Sequence, residues 1–216
     1  MKLDGVFFDL DGTLADTKSV LFESYVRFME SYDLPSSIDE FNSLSGTPIK
    51  SSIVELCNKH QLKVNHKATA NRYLSNVETR YLNSPLIPGA SELIEFIRSK
   101  SIQIALVTSA TRGLVNGWID NNSLIGMFNA IITSEDVINT KPDPEPYLNA
   151  MNQLGISGFD SLAVEDSEIG ASSAIASGLF TLGVGLAYSE RFSEQDFMAV
   201  HDLHEAKKFI ENYIDF

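Results

Sequence analysis

Five short apolar runs separated by helix-length segments are the feature that most constrains how this chain folds. The runs occupy residues 5–10, 102–108, 130–133, 162–165 and 180–184. Apolar runs of this length, bounded by turn residues, predict buried strands. Strands that alternate with helices predict a parallel sheet with helices on both faces. We therefore expect an α/β core of the Rossmann-like kind, with ligands bound beyond the carboxyl ends of its strands.

One connection, residues 16–85, is far longer than an ordinary link between a strand and a helix. Proline or glycine interrupts its helical periodicity and divides it into segments. These segments are residues 20–32, 36–44, 49–60 and 66–82. The pattern predicts an all-helical cap inserted into the core. The core would then comprise residues 1–15 and 86–216, and the cap residues 16–85.

Composition and charge narrow the class of protein. The chain has 216 residues, 44% of them hydrophobic, so it can bury a core of its own and is compatible with a monomer. Its formal net charge of −13 argues against nucleic acid or an anionic membrane surface as the main partner. No apolar run approaches the roughly 18 residues of a membrane span, and acids interrupt the apolar start of the chain, unlike a secretory signal. We expect a cytoplasmic protein whose single cysteine, Cys57, is a buried apolar residue.

The first apolar run ends in FFDLDGTLAD, which places Asp9 and Asp11 where the first strand leaves the sheet. Alternate residues of a strand share a face, so these carboxylates repel each other unless a cation or a shared proton intervenes. Mg²⁺ prefers such oxygen ligands and would also shield an approaching phosphate. We predict that Asp9 attacks phosphorus to form an aspartyl phosphate. Asp11 would protonate the leaving oxygen as a general acid and then activate water as a base.

Polar residues also follow the later strands. Thr108 and Ser109 could hold phosphoryl oxygens through a hydroxyl and backbone N–H groups, although hydroxyls at strand ends often cap helices instead. Lys141 precedes a proline that favours an extended backbone, so its ammonium could face the site rather than solvent. Glu165 and Asp166 suit metal ligation, although Asp166 could instead cap the next helix. An acid pair, a hydroxyl, a lysine and a second acid pair are what metal-assisted phosphoryl transfer needs.

FFDLDGTLAD, LVTSA, KPDP and VEDSEIGA together resemble the four motifs of the haloacid dehalogenase superfamily, in its branch of phosphatases and β-phosphoglucomutase-type enzymes. The resemblance spans nearly the whole chain. It implies that Asp9 is the nucleophile and Asp11 the acid/base. It also implies that Thr108 binds the transferring phosphoryl group and that Lys141 steadies the charge.

The same resemblance implies a Mg²⁺ site. The ligands would be Asp9, the backbone carbonyl of Asp11 and Asp166, with Glu165 as a close or direct partner. True dehalogenases of the superfamily lack an acid at the position of Asp11, because a leaving halide needs no proton. Dehalogenation is therefore not expected here.

Two departures from the mutase pattern bear on the reaction. The β-phosphoglucomutase branch typically carries a cap histidine and a cap arginine where this chain has Leu21 and Ile49. Lys50 or Arg112 could replace part of a grip on a second phosphate, although solvated surface positions are typical of such cations. We predict a Mg²⁺-dependent phosphatase acting on a small phosphorylated metabolite, such as a sugar phosphate. The alternatives are a sugar-phosphate mutase and a non-catalytic regulatory or binding protein that keeps the fold.

Overall fold

The computed structural model describes residues 3–44, 47–187 and 191–215, in which strands and helices alternate. The strands are β1 (Gly5–Phe8), β2 (Gln103–Val107), β3 (Ala130–Ile132), β4 (Ser161–Glu165), β5 (Phe180–Val184) and β6 (Phe197–Val200). The helices are α1 (Lys18–Glu30), α2 (Ile38–Ser43), α3 (Ile49–Lys59), α4 (His66–Leu82), α5 (Ala90–Ser99), α6 (Arg112–Asn121), α7 (Glu145–Leu154), α8 (Glu168–Ala176) and α9 (Leu203–Asp215).

The strands of the described residues form one parallel sheet in the order β3-β2-β1-β4-β5-β6. β1 lies at its centre, where Phe7 is opposite Ala105 of β2 on one side and Ala163 of β4 on the other. Every residue of β1 is buried, which is why its sequence is apolar without alternation. The five predicted strands and the α/β fold class are confirmed.

β6 is the strand that the apolar runs do not reveal. It lies at the edge of the sheet beside β5, and the Met198 side chain is 43% exposed. An edge strand that is only partly covered does not need a continuous apolar sequence. Its short sequence, FMAV, therefore gives a weak signal compared with the central strands.

Alternating side chains of the sheet form two apolar clusters, one on each face. Val6 and Phe8 of β1 pack with residues of α5, α6 and α9, whereas Phe7 packs with residues of α7 and α8. β1 is therefore held between two helical layers. This packing fixes the direction in which the chain leaves the sheet at Asp9.

Helices α1 to α4 form the insert and pack around an apolar cluster of their own. Tyr25, Ile53 and Cys57 are among its buried members. The two ends of the insert lie side by side, because the Asp16 N–H donates to the Pro85 carbonyl at 2.9 Å. The inserted helical cap is thus confirmed, while its boundaries at 15/16 and 85/86 stay a prediction. Of the helices in the described ranges, none combines the length and the apolar character needed to cross a membrane.

Candidate active site

The carboxyl ends of β1, β2 and β4 meet at one edge of the sheet, where the predicted site residues gather. Asp9 follows β1, Thr108 follows β2, Glu165 ends β4, and Asp166 follows it. Because neighbouring strands are parallel and in register, residues that are distant in sequence lie together here. All four of these side chains belong to buried residues.

Lys141 is buried at this edge and holds two carboxylates together. Its Nζ donates to Asp9 Oδ1 at 2.7 Å, to Glu165 Oε1 at 2.6 Å and to the Val107 carbonyl at 2.9 Å. Burial alone lowers the pKa of a lysine, but the charges of Asp9 and Glu165 outweigh burial and raise the pKa of Lys141 above its ordinary value. The side chain therefore stays protonated, and the structure places it in the site rather than in solvent.

Tyr147, on α7, is a neighbour of Glu165 that the motifs do not indicate. Its hydroxyl donates to Glu165 Oε1, the same oxygen that accepts a hydrogen bond from Lys141. Burial raises the pKa of Glu165, and the Lys141 ammonium opposes that rise. Glu165 is thus fixed in position by two donors. The tyrosine lies within the sequence KPDPEPY, but its contact with Glu165 depends on how α7 packs against the sheet.

Asp11 lies beside Asp9 in a poorly solvated position. Burial raises the pKa of its carboxyl from 3.8 to about 6, and the charge of Asp9 adds to the rise. The hydroxyls of Tyr81 and Thr17 oppose it. A carboxyl with a pKa near 6 can give up and take back a proton near neutral pH, as a general acid and base must. Tyr81 comes from the last turn of α4, so its position here could not be read from the motif around Asp11.

Asp166 lies against the turn after β1 and does not cap the next helix. Ser167 is the N-cap of α8, and its Oγ accepts from the Gly170 N–H at 3.1 Å. Asp166 Oδ2 instead forms an ion pair with Lys18 Nζ at 2.5 Å. Gly12 permits this approach, because its φ is +88° and a Cβ there would lie 2.0 Å from Asp166 Oδ2. The capping alternative for Asp166 is therefore wrong, and Lys18 is a site residue that the motifs do not indicate.

Three buried carboxylates form a cluster that suits a metal ion. One oxygen from each of Asp9, Glu165 and Asp166 lies within 4.8 Å of the other two. Carboxylate oxygens are ligands that hard divalent cations prefer. Lys141 and Lys18 supply two positive charges against these three carboxylates, so a negative charge remains that a bound cation would balance. The donor set therefore fits such a cation. A contribution from the Asp11 carbonyl stays a prediction.

Thr108 and Ser109 border the same space. Thr108 Oγ1 lies 3.5 Å from Asp11 Oδ2 and accepts from the Ala110 N–H at 3.0 Å. Ser109 lines the cleft together with Asp9 and Asp11. The hydroxyl of Thr108 thus stabilises the local turn and also faces the acid pair. It does not cap the next helix, whose N-cap is Thr111.

The cleft lies between this edge of the sheet and helices α1 to α4 of the cap. Leu21 and Ile49, the two departures from the mutase pattern, both line it. Arg112 is paired with Asp136 on the core, and Lys50 is exposed and lines an adjoining hollow. Neither of these cations lines the cleft, so the structure does not support them as a grip on a second phosphate.

Comparison with known proteins agrees with these features. The family model of haloacid dehalogenase-like hydrolases matches residues 6–184. A phosphorylated carbohydrates phosphatase of Thermotoga maritima is 29% identical over 212 residues, which cover 97% of this chain and 91% of that protein. A β-phosphoglucomutase of Bacillus subtilis is 27% identical, with 85% of this chain and 84% of that protein covered.

Solved structures show the same fold. The β-phosphoglucomutase of Clostridium difficile matches with a TM-score of 0.85 at 18% identity, covering 99% of this chain and 97% of that one. CbbY of Rhodobacter sphaeroides matches with a TM-score of 0.79 at 20% identity, covering 94% and 96%. Since the family model spans most of the sequence, the chain belongs to the haloacid dehalogenase-like hydrolases, in their branch of phosphatases and β-phosphoglucomutase-like enzymes.

Proposed function

We propose that this protein is a Mg²⁺-dependent phosphatase that hydrolyses a small phosphorylated metabolite through an aspartyl phosphate on Asp9. One observation carries the proposal. The Asp9 carboxylate is held by Lys141 at 2.7 Å and lies beside Asp11, whose raised pKa of about 6 suits an acid/base. A nucleophile and an acid/base therefore face the same cleft. The phosphorylated carbohydrates phosphatase of Thermotoga maritima supports hydrolysis of a phosphate ester.

The chain's own residues account for the steps of the proposed reaction. The free oxygen of the Asp9 carboxylate attacks phosphorus while Asp11 protonates the departing alcohol oxygen, so the ester P–O bond breaks as the acyl phosphate forms. Asp11 then takes a proton from water, which attacks phosphorus and releases inorganic phosphate and Asp9. Thr108 and Ser109 contact the phosphoryl oxygens, and Lys141 balances the charge that develops on them.

The metal would be held by Asp9 and Asp166, with Glu165 beside them. Bound there, Mg²⁺ supplies positive charge that neutralises the repulsion between the phosphate and the nucleophilic carboxylate. Without a metal, the charge of Asp166 is balanced by Lys18, whose Nζ lies 2.5 Å from Asp166 Oδ2. Because Asp166 already binds an ammonium group, its position is one in which a metal cation would also be electrostatically favourable.

The cleft favours hydrolysis over mutase chemistry. A mutase must hold a second phosphate on the cap side, but Leu21 and Ile49 present apolar side chains there. A non-catalytic role fits less well, because the acid pairs, the hydroxyls and the lysine are assembled around one point. A protein that only binds partners would not require all of these groups at one point.

Phosphate release from p-nitrophenyl phosphate and from a panel of phosphorylated metabolites, with Mg²⁺ or with EDTA, tests the proposal. Asp9→Asn keeps the shape of the nucleophile but removes its charge, so turnover should fall by a factor on the order of 10³ or more. Asp120→Asn, at an exposed position on α6, is the matched control. Near-normal turnover by Asp9→Asn, or equal rates with Mg²⁺ and EDTA, would overturn the assignment.

A further inference from the structure

We infer that the cap end of the cleft selects a neutral and largely apolar alcohol, so that the substrate is the monophosphate of such an alcohol rather than a bisphosphate or a polyhydroxylated sugar phosphate. The inference rests on the proposed phosphatase function and names the substrate class of the same site. It is carried by the cleft's uneven polarity, by the hydrogen bonds of its hydroxyl groups and by the pairing of its cation.

The two ends of the cleft differ in chemistry. The core end presents the charged groups of Asp9, Asp11, Asp166 and Lys18. The cap end is lined by apolar and aromatic side chains, among them Leu21, Phe41, Leu44, Ile49, Ile53 and Leu56. An alcohol that extends from a phosphate at Asp9 therefore enters an apolar surface, where methylene groups leave water favourably.

The serine and threonine hydroxyls of the cap end already use their protons within the protein. Thr47 Oγ1 donates to the Leu44 carbonyl at 2.6 Å. Ser52 Oγ lies 2.6 Å from Thr47 Oγ1 and 3.3 Å from the Pro48 carbonyl, so its proton has partners on the same chain. A hydroxyl has one proton to donate, and these two have none left for a ligand.

The hydroxyls of the two tyrosines that line the cleft also donate their protons to groups of the protein. The Tyr25 hydroxyl donates to Glu40 Oε2 at 2.6 Å and accepts from the Ser37 N–H at 3.0 Å. The Tyr73 hydroxyl donates to the Leu21 carbonyl at 3.4 Å. The cleft therefore meets the rings of these tyrosines rather than free hydroxyls. Sugar hydroxyls buried against these walls would lose water and find no free donor among these groups. They could only donate to oxygens that are already hydrogen-bonded, which compensates part of the loss.

The positively charged side chain on the cap side of the cleft also has a partner within the protein. Among the described residues that line the cleft, Lys18 is the basic side chain of the cap, and it pairs with Asp166 at the core end. A second phosphate at the cap end would thus lie against leucine and isoleucine without a counter-ion. Burial of an uncompensated charge disfavours bisphosphates more strongly than single hydroxyl groups.

A matched pair of esters tests the inference. Cyclohexylmethyl phosphate and glucose 6-phosphate both carry a six-membered ring on a CH₂–O–phosphate, and they differ in the ring oxygen and the hydroxyls. With saturating Mg²⁺, kcat/KM for the cyclohexyl ester should exceed that for the sugar by at least about tenfold. Along ethyl, propyl and butyl phosphate, kcat/KM should rise about fourfold for each buried methylene. Equal or higher kcat/KM for glucose 6-phosphate would overturn the inference and leave the phosphatase standing.

Two variants locate the effect. Ile49→Asn places an amide in the cleft and should reduce the preference for the cyclohexyl ester about tenfold. Ile38→Asn, on α2 at a side chain that is 52% exposed and outside the cleft, should leave that preference unchanged. A preference that survives Ile49→Asn intact would contradict the placement. If Ile49→Asn does not fold, the comparison of esters in the unmodified protein decides the matter.

Binding separates failure of this inference from failure of the proposed reaction. In Asp9→Asn with Mg²⁺, calorimetry should show tighter binding of cyclohexylmethyl phosphate than of glucose 6-phosphate. If the unmodified protein hydrolyses none of the esters but this order of affinity is found, the cleft assignment holds and the phosphatase proposal fails. If the order is absent or reversed, the cleft assignment is wrong whatever the rates are.

Discussion

Replacing Asp11 with asparagine should stabilise the metal-free protein above pH 6 while it removes activity. Burial raises the pKa of the Asp11 carboxyl from 3.8 to about 6, and the charge of Asp9 adds to that rise. A carboxyl whose pKa is raised by folding destabilises the folded state when it is ionised. Asparagine has a similar shape and no charge. The substitution therefore removes an electrostatic cost that the proposed acid/base role requires.

The size of the effect follows from the shift in pKa. The pKa rises from 3.8 to about 6, and a rise of one in pKa corresponds to about 1.36 kcal/mol. Ionised Asp11 thus lowers the free energy of unfolding by about 3 kcal/mol. Between these two pKa values the folded state binds more protons than the unfolded state, so the cost grows as pH rises. The gain from Asp11→Asn should be small at pH 4 and about 3 kcal/mol at pH 7.5.

Urea denaturation followed by circular dichroism, in EDTA from pH 4 to pH 8, measures this difference. Asp120→Asn removes an exposed carboxylate on α6 and should show no comparable dependence on pH. The same Asp11→Asn protein should lose most turnover of alkyl phosphates, whose leaving alcohols need a proton. A gain that is equal at pH 4 and pH 7.5, or no gain at either pH, would refute the argument from burial.

Three further substitutions test the charges around Asp9. Lys141→Met leaves Asp9 and Glu165 buried without their shared cation, so urea denaturation in EDTA should show a loss of about 3–5 kcal/mol; a loss below about 1 kcal/mol would contradict the buried pairing. Asp166→Asn should raise the Mg²⁺ concentration needed for half-maximal phosphate release at least about tenfold. Its Tm should change little, because Ser167 and not Asp166 caps α8. An unchanged Mg²⁺ requirement would remove Asp166 from the proposed ligand set. Lys18→Met should tighten Mg²⁺ binding in calorimetry, since the ammonium competes for Asp166 at 2.5 Å; weaker binding would show that it does not.

The core end of the site is predictable because parallel strands place their ends together. The positions of Asp9, Thr108 and Glu165 follow from recognising three strands and pairing them in register. Lys141 needed a further clue, the proline that follows it, and the structure buries its side chain among the carboxylates. Contacts that side chains on helices make with the site could not be predicted in this way. Tyr147 reaches Glu165 because α7 packs on the sheet, and no local pattern encodes that packing.

The cap end was predictable in outline and not in detail. Helical periodicity located the four helices of the insert. Leu21 and Ile49, noted in the sequence as departures from the mutase pattern, line the cleft in the structure. The hydrogen bonds that the hydroxyls of Thr47 and Tyr25 donate to other groups of the cap depend on how the helices and their connections pack. Serine, threonine and tyrosine are equally compatible with a polar and an apolar cleft until those partners are known.

The insert also completes the electrostatics of the core. Lys18 begins α1 and pairs with Asp166, while Tyr81, near the end of α4, faces Asp11. Both side chains belong to the cap, yet both act on carboxylates carried by the ends of core strands. Desolvation is the largest cause of the raised pKa of Asp11, and desolvation requires the surrounding groups to exclude water. The raised pKa of Asp11 therefore depends on a cap seated over the core. In the proposed reaction, the insert that we propose to select the alcohol would also control the proton transfer to it.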